Sequence, residues 1–571
     1  MLEKLILLYG EEKGKEAEMK LEKIIDEAKA KIDCEDRLFW DEKDVFLITY
    51  ADCFLDHVDS RFRGNDSGGT LKTLKKFLDG YLKGIIEAVH ILPFYPYSSD
   101  RGFSITDYYR VKKDFGNWDD IENISKNYRL MADLVLNHVS VKHEWFQKFL
   151  AGDPKYEDYF IWFKKEEIPD EVLKKVFRPR STPLLTPFKT IKGRRWVWTT
   201  FSVENSTDQV DLNYKNPQVL LEIVRVILFL LQKGVSIFRL DAIPYIWKKI
   251  GTSCENLPEA HVVVSLLRNV LDLVCPSAVI VSQSSVPFEE NLVYFGKKSK
   301  ESNIIYNFAL PPLVLQAFYS QSNKHLNEMA KKMKVPDYDS AFFNILAVHD
   351  GIGVTGAKGF LSDEEFKILY QKIEERGGKL SYYRLPDGDK SVRELNITWW
   401  SAINTTAESF ELQLRKFITS HAILFSLAGI PAVYYLSLFG QENDVELFAK
   451  TGIKRDINRT NLDFRLKKED TKAARVFSAL SNLIKKRKSL KAFHPNAKQE
   501  VLSLDKRVFA ILRGENNDRV LALHNLSNDK VDLKFNDKVF SLEPYDFMWF
   551  KFQETTHKIQ TNHKNQISKI K

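Results

Sequence analysis

At 571 residues the chain exceeds what one ordinary hydrophobic core takes up, so one large domain with smaller companions is expected. Apolar residues at 44% suffice for a sizeable core, and 85 Lys+Arg against 77 Asp+Glu leave +8, a mild bias that excludes a nucleic-acid footprint. Aromatic residues at 12% mostly fill such a core, although ring faces also suit the C–H faces of sugars.

In chain order, residues 3–33 read as one charged amphipathic helix, and the apolar patch before it lacks the h-region and cleavage site of a signal peptide. Cys34, Cys53, Cys254 and Cys275 show neither close pairing nor zinc-type spacing, so reduced thiols in a cytoplasm are expected. No stretch nears the ~20 apolar residues of a membrane span. Short apolar runs then recur at 45–50, 88–92, 130–136, 235–240, 278–281, 304–306, 342–346 and 430–435, separated by helical segments. Runs of this kind are strands buried on both faces of a parallel sheet. Eight of them predict an α/β fold closed as a (β/α)8 TIM barrel.

The long interval after the third run holds Pro179, Pro183 and Pro187 and keeps neither period, which predicts a small inserted domain. Residues 60–69 read as a loop-like local insertion. The basic run Lys485-Lys486-Arg487-Lys488 reads as a solvated helix face. Alternating segments at 507–512, 519–524 and 547–550 predict a closing antiparallel β domain. The expected layout is a helical extension over 1–44, a barrel from 45–138 and 201–488, an insert over 139–200, a β domain over 489–552 and a disordered basic tail over 553–571.

Polar residues gather where four runs end: Asn137 and His138, Arg239 and Asp241, Gln283, then His349 and Asp350. Each alone is a strand-end cap or a satisfied buried group. Together, at barrel spacing, they predict a shared site at the mouth.

Asp133-Leu134-Val135-Leu136-Asn137-His138 resembles the first signature of the alpha-amylase superfamily, Phe238-Arg239-Leu240-Asp241-Ala242 its second and Val348-His349-Asp350 its fourth. Asp208-Gln209-Val210-Asp211-Leu212-Asn213 resembles a further signature. The segments starting at Tyr97, Leu184, Val286, Glu394 and Ser437 resemble the sucrose-phosphorylase-like and glucosylglycerate-phosphorylase-like subgroup, and the likeness runs from about residue 45 to 550.

The resemblance implies a retaining mechanism, in which one carboxylate attacks and a second carboxyl, about 5–5.5 Å away, protonates the departing oxygen. By position Asp241 is the nucleophile, kept ionised by Arg239, and Asp350 binds hydroxyls and stabilises positive charge on the ring. His138 and His349 donate to hydroxyls, Asp100 holds the outer hydroxyls, Phe103 supplies an apolar platform, and Gln209 belongs to the substrate contacts. Arg178 and Arg180 are candidates for inorganic phosphate, with an ordinary surface pair as the alternative. No cofactor and no metal are implied. The implied partners are a small sugar and phosphate, with no nucleic acid and no membrane. The loop Thr355-Gly356-Ala357-Lys358 is expected to set acceptor choice.

One position departs from the pattern. Gln283 stands where the family has its glutamate acid/base, and an amide does not exchange a proton near neutral pH. Positioned proton transfer is worth ~10²- to 10⁴-fold, so cleavage at an alcohol leaving group is expected to slow, whereas a sugar phosphate leaves without that help. Glu289 and Glu290 match positions of their own and are not expected to substitute. A change that traps an intermediate, a repurposed copy and a local register slip are the three explanations. A sugar phosphorylase is the leading reading. A hydrolase or transglucosidase of the same superfamily, and a carbohydrate-binding barrel without turnover, compete with it.

Overall fold

The computed structural model describes the chain except residues 35–38, 56–69, 165–169, 181, 203–206, 297–299, 385–388, 464–470 and 553–571. The loop-like stretch at 60–69 and the expected basic tail lie outside the described residues.

Eight parallel strands close into a barrel: β1 (Phe46–Thr49), β2 (Ala88–Ile91), β3 (Arg129–Val135), β4 (Val235–Asp241), β5 (Val279–Ser282), β6 (Ile304–Asn307), β7 (Ala341–Asn344) and β8 (Ile430–Tyr434). Neighbours in sequence are neighbours in the barrel, and β8 returns to β1 through Phe46 opposite Ala432. Side chains on both faces of these strands are buried, which is why each strand was visible as an apolar run. Every strand therefore ends at one rim, where the βα loops gather.

Between β3 and β4 the chain forms the helix Glu144–Leu150 and an antiparallel sheet of Trp162–Phe163, Gly193–Trp198 and Leu185–Thr190. The link back to the rim is pinned by Asp211, whose Oδ2 takes Asn137 Nδ2 at 3.1 Å and Lys248 Nζ at 2.6 Å. A second antiparallel sheet, of Ile352–Gly353, Lys390–Asn396 and Lys379–Arg384, follows β7. The pattern of apolar residues did not announce it. The chain closes on the antiparallel strands Gln499–Asp505, Val508–Arg513, Val520–Asn525 and Phe547–Lys551, with a separate pair at Val531–Phe535 and Lys538–Leu542.

Three expectations need correction. The N-terminal helix is two, Leu2–Tyr9 and Glu11–Lys29, because Gly10 adopts φ 80°, a backbone state that few other residues tolerate. The cysteines are not all free: Cys34 is bonded to Cys275, with Cα atoms 5.3 Å apart, while Cys53 and Cys254 are buried thiols. The partners lie 241 residues apart, so local spacing carried no sign of the bridge. The basic run at 485–488 is only partly solvated. Lys485 and Lys486 face water, but Arg487 turns inward and donates to the Phe425 and Phe493 carbonyls at 3.1 and 3.0 Å.

Among the described residues no helix is long and apolar enough to cross a membrane.

Candidate active site

Arg239 and Asp241 sit two residues apart on β4 and so project to the same side. Arg239 Nη1 donates to Asp241 Oδ1 at 2.8 Å and also to Asp133 on β3, whose other oxygen meets His90 Nε2 at 2.7 Å. Burial favours a neutral Asp133, but Arg239 and then His90 outweigh it and hold the carboxyl below its usual range. Asp241 is placed differently. Burial pushes it up to about 6 against the pull of Arg239, with Asp133 and Asp350 adding like-charge repulsion. It is ionised at neutral pH and poorly solvated, which suits a nucleophile.

Across the cleft, burial acts against the charge on Asp350, but Arg455, and after it Arg459, keep it ionised and well below the usual carboxylate range. Arg455 Nη1 lies 3.0 Å from Asp350 Oδ1 and 3.8 Å from Asp100 Oδ1, and its Nη2 donates to Glu394 Oε1 at 2.9 Å. Asp100 also takes Gln209 Nε2 at 3.1 Å and has Arg180 Nη2 at 3.7 Å. Asp100 and Arg101 hold φ values of 51° and 47°, a left-handed stretch that costs energy without glycine. The ion pair from Arg101 to buried Asp456 at 2.9 Å helps to fix it.

Phe103 stacks on His349 with centroids 5.1 Å apart and planes 13° apart, a flat apolar floor. His138 donates Nε2–H to the Phe103 carbonyl at 3.2 Å. Burial pushes His138 down to about 4 and His349 to about 3, so both are neutral donors at physiological pH.

The third wall carries Gln283, directly after β5. Its Oε1 accepts the Ala242 N–H at 3.2 Å and its Nε2 donates to Ser285 Oγ at 3.2 Å. The amide thus faces the residue next to Asp241. Glu290 lines the same cleft, while Glu289 turns away to Lys332 at 3.3 Å.

One cleft brings together Asp100, Phe103, His138, Arg180, Gln209, Asp241, Gln283, His349 and Asp350. Arg239 stands behind Asp241, and Arg178 is not among the lining residues. Thr355 and Lys358, from the loop expected to set acceptor choice, do line it. Sequence reasoning missed Arg393, Glu394, Arg455, Tyr245 and Glu255, which complete the walls. Glu394 opens a segment already singled out, and Arg455 lies in a charged loop after β8, but nothing in the sequence pairs them.

The family described as "Alpha amylase, catalytic domain" matches residues 48–350, which carry Asp241, Gln283 and Asp350. This chain belongs to the alpha-amylase family. Within it the protein is an enzyme related to sugar phosphorylases. It is 42% identical over 557 residues to the glucosylglycerate phosphorylase of Spirochaeta thermophila, covering 95% of this chain and 92% of that one. To the glucosylglycerate phosphorylase of Escherichia coli it is 38% identical over 535 residues, 90% of this chain and 92% of that one. Among solved structures, the sucrose 6F-phosphate phosphorylase of Thermoanaerobacter thermosaccharolyticum superposes with a TM-score of 0.74 at 28% identity, covering 88% of this alpha-amylase-family chain and 98% of that one.

Proposed function

We propose that this protein is a retaining glycoside phosphorylase that moves a glucosyl unit between inorganic phosphate and an acceptor, with glucosylglycerate as the favoured glucoside. Asp241 attacks the anomeric carbon and forms a covalent glucosyl-enzyme, and phosphate then takes the sugar as glucose 1-phosphate. Asp350 offsets positive charge on the ring, Asp100 and His138 hold hydroxyls, and Phe103 on His349 forms the floor.

The observation that carries the phosphate half is a crowd of guanidinium groups at the mouth. Burial, then Arg393 and Arg455, push Arg180 down to about 10. A phosphate dianion beside Arg180 relieves this repulsion while making charge-assisted hydrogen bonds. Arg178 serves at most from outside the cleft. The relatives named above, at 38% identity or more, support glucosylglycerate over sucrose. The proposed site of action is the cytoplasm, where a charged product such as glucose 1-phosphate is retained.

Gln283 leaves the leaving-group oxygen without a proton source at its usual place. A chain relying on that place alone loses ~10²- to 10⁴-fold on alcohol leaving groups. The test has two parts. Phosphate-dependent release of glucose 1-phosphate from glucosylglycerate separates a phosphorylase from a hydrolase, which turns over without phosphate. Mass spectrometry after exposure to glucose 1-phosphate is expected to find a hexosyl adduct on Asp241, and its absence there removes the proposal.

A further inference from the structure

Two neighbouring ion pairs join the loop after β2 to the loop after β8. Asp100 Oδ1 lies 3.8 Å from Arg455 Nη1, and the next residue, Arg101, reaches Asp456 Oδ1 through Nη2 at 2.9 Å. An Asp-Arg dipeptide thus meets an Arg-Asp dipeptide with the charges exchanged. The inner pair, Asp100 and Arg455, lines the cleft, whereas Arg101 and Asp456 stand behind it. Asp456 is 1% exposed, and among the described residues Arg101 is its one cationic partner. The turn that carries it, Lys454–Asn458, is fastened to the loop after β7: Asn458 Nδ2 donates to the Val348 carbonyl at 2.8 Å, and the adjoining Arg459 donates Nε–H to the His349 carbonyl at 2.9 Å. On the other side of Asp100, Ser99 Oγ donates to Asp208 Oδ2 at 2.6 Å.

We propose that Arg101 and Asp456 are positioning residues for Asp100. Their pair fixes the hold of the enzyme on the glucosyl hydroxyls far from C1, and with it the preference for a glucosyl unit over sugars altered at that end. The inference rests on the reading of Asp100 as a holder of hydroxyls given above.

The backbone gives the pair its task. Asp100 and Arg101 sit at φ 51° and 47°, values that residues other than glycine keep only where the surroundings enforce them. The inner pair is too open to do so. At 3.8 Å it is a loose contact, and Arg455 is committed more closely to Asp350 at 3.0 Å and Glu394 at 2.9 Å. A carboxylate that had to tie two loops together would spend its lone pairs on a guanidinium. With the tie made one residue further on, Asp100 gives one bond to Gln209 Nε2 at 3.1 Å and keeps acceptor capacity for hydroxyls. Without the outer pair the turn is held on the Ser99 side alone, and a return to ordinary φ swings the carboxylate out of its present aim.

The test compares two donors on the full-length protein in the presence of phosphate: α-glucosyl fluoride and 4-deoxy-α-glucosyl fluoride, which differ by one hydroxyl remote from C1. For each, kcat/KM for fluoride release reports the first half-reaction. A hydrogen bond to a charged group is worth about 10- to 100-fold, so the unmodified enzyme is expected to prefer the hydroxylated donor by that factor. Arg101→Met is expected to shrink the preference by roughly fivefold or more, and Arg101→Lys, which keeps a cation for Asp456, to stay within about threefold of the parent. Arg101→Met leaves Asp456 buried without a partner, so Asp456→Asn, which removes the charge at unchanged shape, is measured beside it and is expected to lose the preference in the same way. If Arg101→Met does not fold, Asp456→Asn decides by the same ratio. Equal losses on both donors, or a lysine variant no better than the methionine one, overturn the assignment of Arg101 and Asp456 alone. An unmodified enzyme that treats the two donors alike removes the reading of Asp100, and the proposal with it.

Discussion

Lowering the pH from 7 to 5 is expected to slow glucosylation of Asp241 about tenfold, and the size follows from where β4 places that carboxyl. Burial between Arg239, Asp133 and Asp350 lifts it from 3.8 to about 6. Such a group is roughly ten parts ionised to one at pH 7, and the ratio inverts at pH 5. Only the ionised form attacks C1, so the rate follows that fraction. α-Glucosyl fluoride is the donor of choice, because its leaving group needs no proton and the acid limb then reports the nucleophile alone. Rapid quench followed by mass spectrometry counts adduct against time at each pH. A rate unchanged to within about 10% down to pH 5 means an ordinary aspartate, and refutes the claim that desolvation dominates over Arg239 at this position.

The same lift carries a stability cost, because the folded protein binds that proton more tightly than the unfolded chain. The cost is full above pH 6, fades as the pH falls and is gone below 3.8, so Asp241→Asn is expected to be more stable than the parent at pH 8 by up to roughly 3 kcal/mol, the gap closing towards pH 4 in urea unfolding. Arg455→Met removes one of several partners from half-buried Asp350 and Asp100 and from buried Glu394, which keep Arg459, Arg180 and Arg393, and a loss of ~1–3 kcal/mol is expected in the same assay at pH 7. Reducing Cys34–Cys275, or replacing Cys34 with serine, is expected to cost ~2–4 kcal/mol and to speed proteolysis of Leu2–Tyr9 and Glu11–Lys29, read on a gel against the oxidised protein.

The barrel was legible because its strands are buried on both faces and therefore appear as unbroken apolar runs, as in Leu130-Met131-Ala132 of β3. The strand end Asp241 was legible for the complementary reason: a charged residue that closes such a run has to face a polar mouth, and Asp350 was found in the loop a few residues beyond its run. What sequence hid was long-range. Arg455 reaches Glu394 across 61 residues and Cys34 reaches Cys275 across 241, and no periodicity encodes either. The sheet of Ile352–Gly353, Lys390–Asn396 and Lys379–Arg384 escaped because its register shifts between Ser381 and Tyr382, which blurs alternation. Glu255 looked like any loop glutamate until the fold set it against Tyr245 in the wall of the cleft.

The hydrogen bond from the Ala242 N–H to the Gln283 side-chain oxygen asks nothing of an amide that a carboxylate would not supply equally well. Hydrolytic loss of ammonia from Gln283 therefore leaves the local frame intact and installs a titratable group where there was none. If proton transfer from that spot is worth ~10³-fold, one converted molecule in about a thousand matches the turnover of all the rest through that route. The chemical age of a preparation thus enters its specific activity, and freshly made protein, checked at this peptide by mass, is the material on which rates are to be compared.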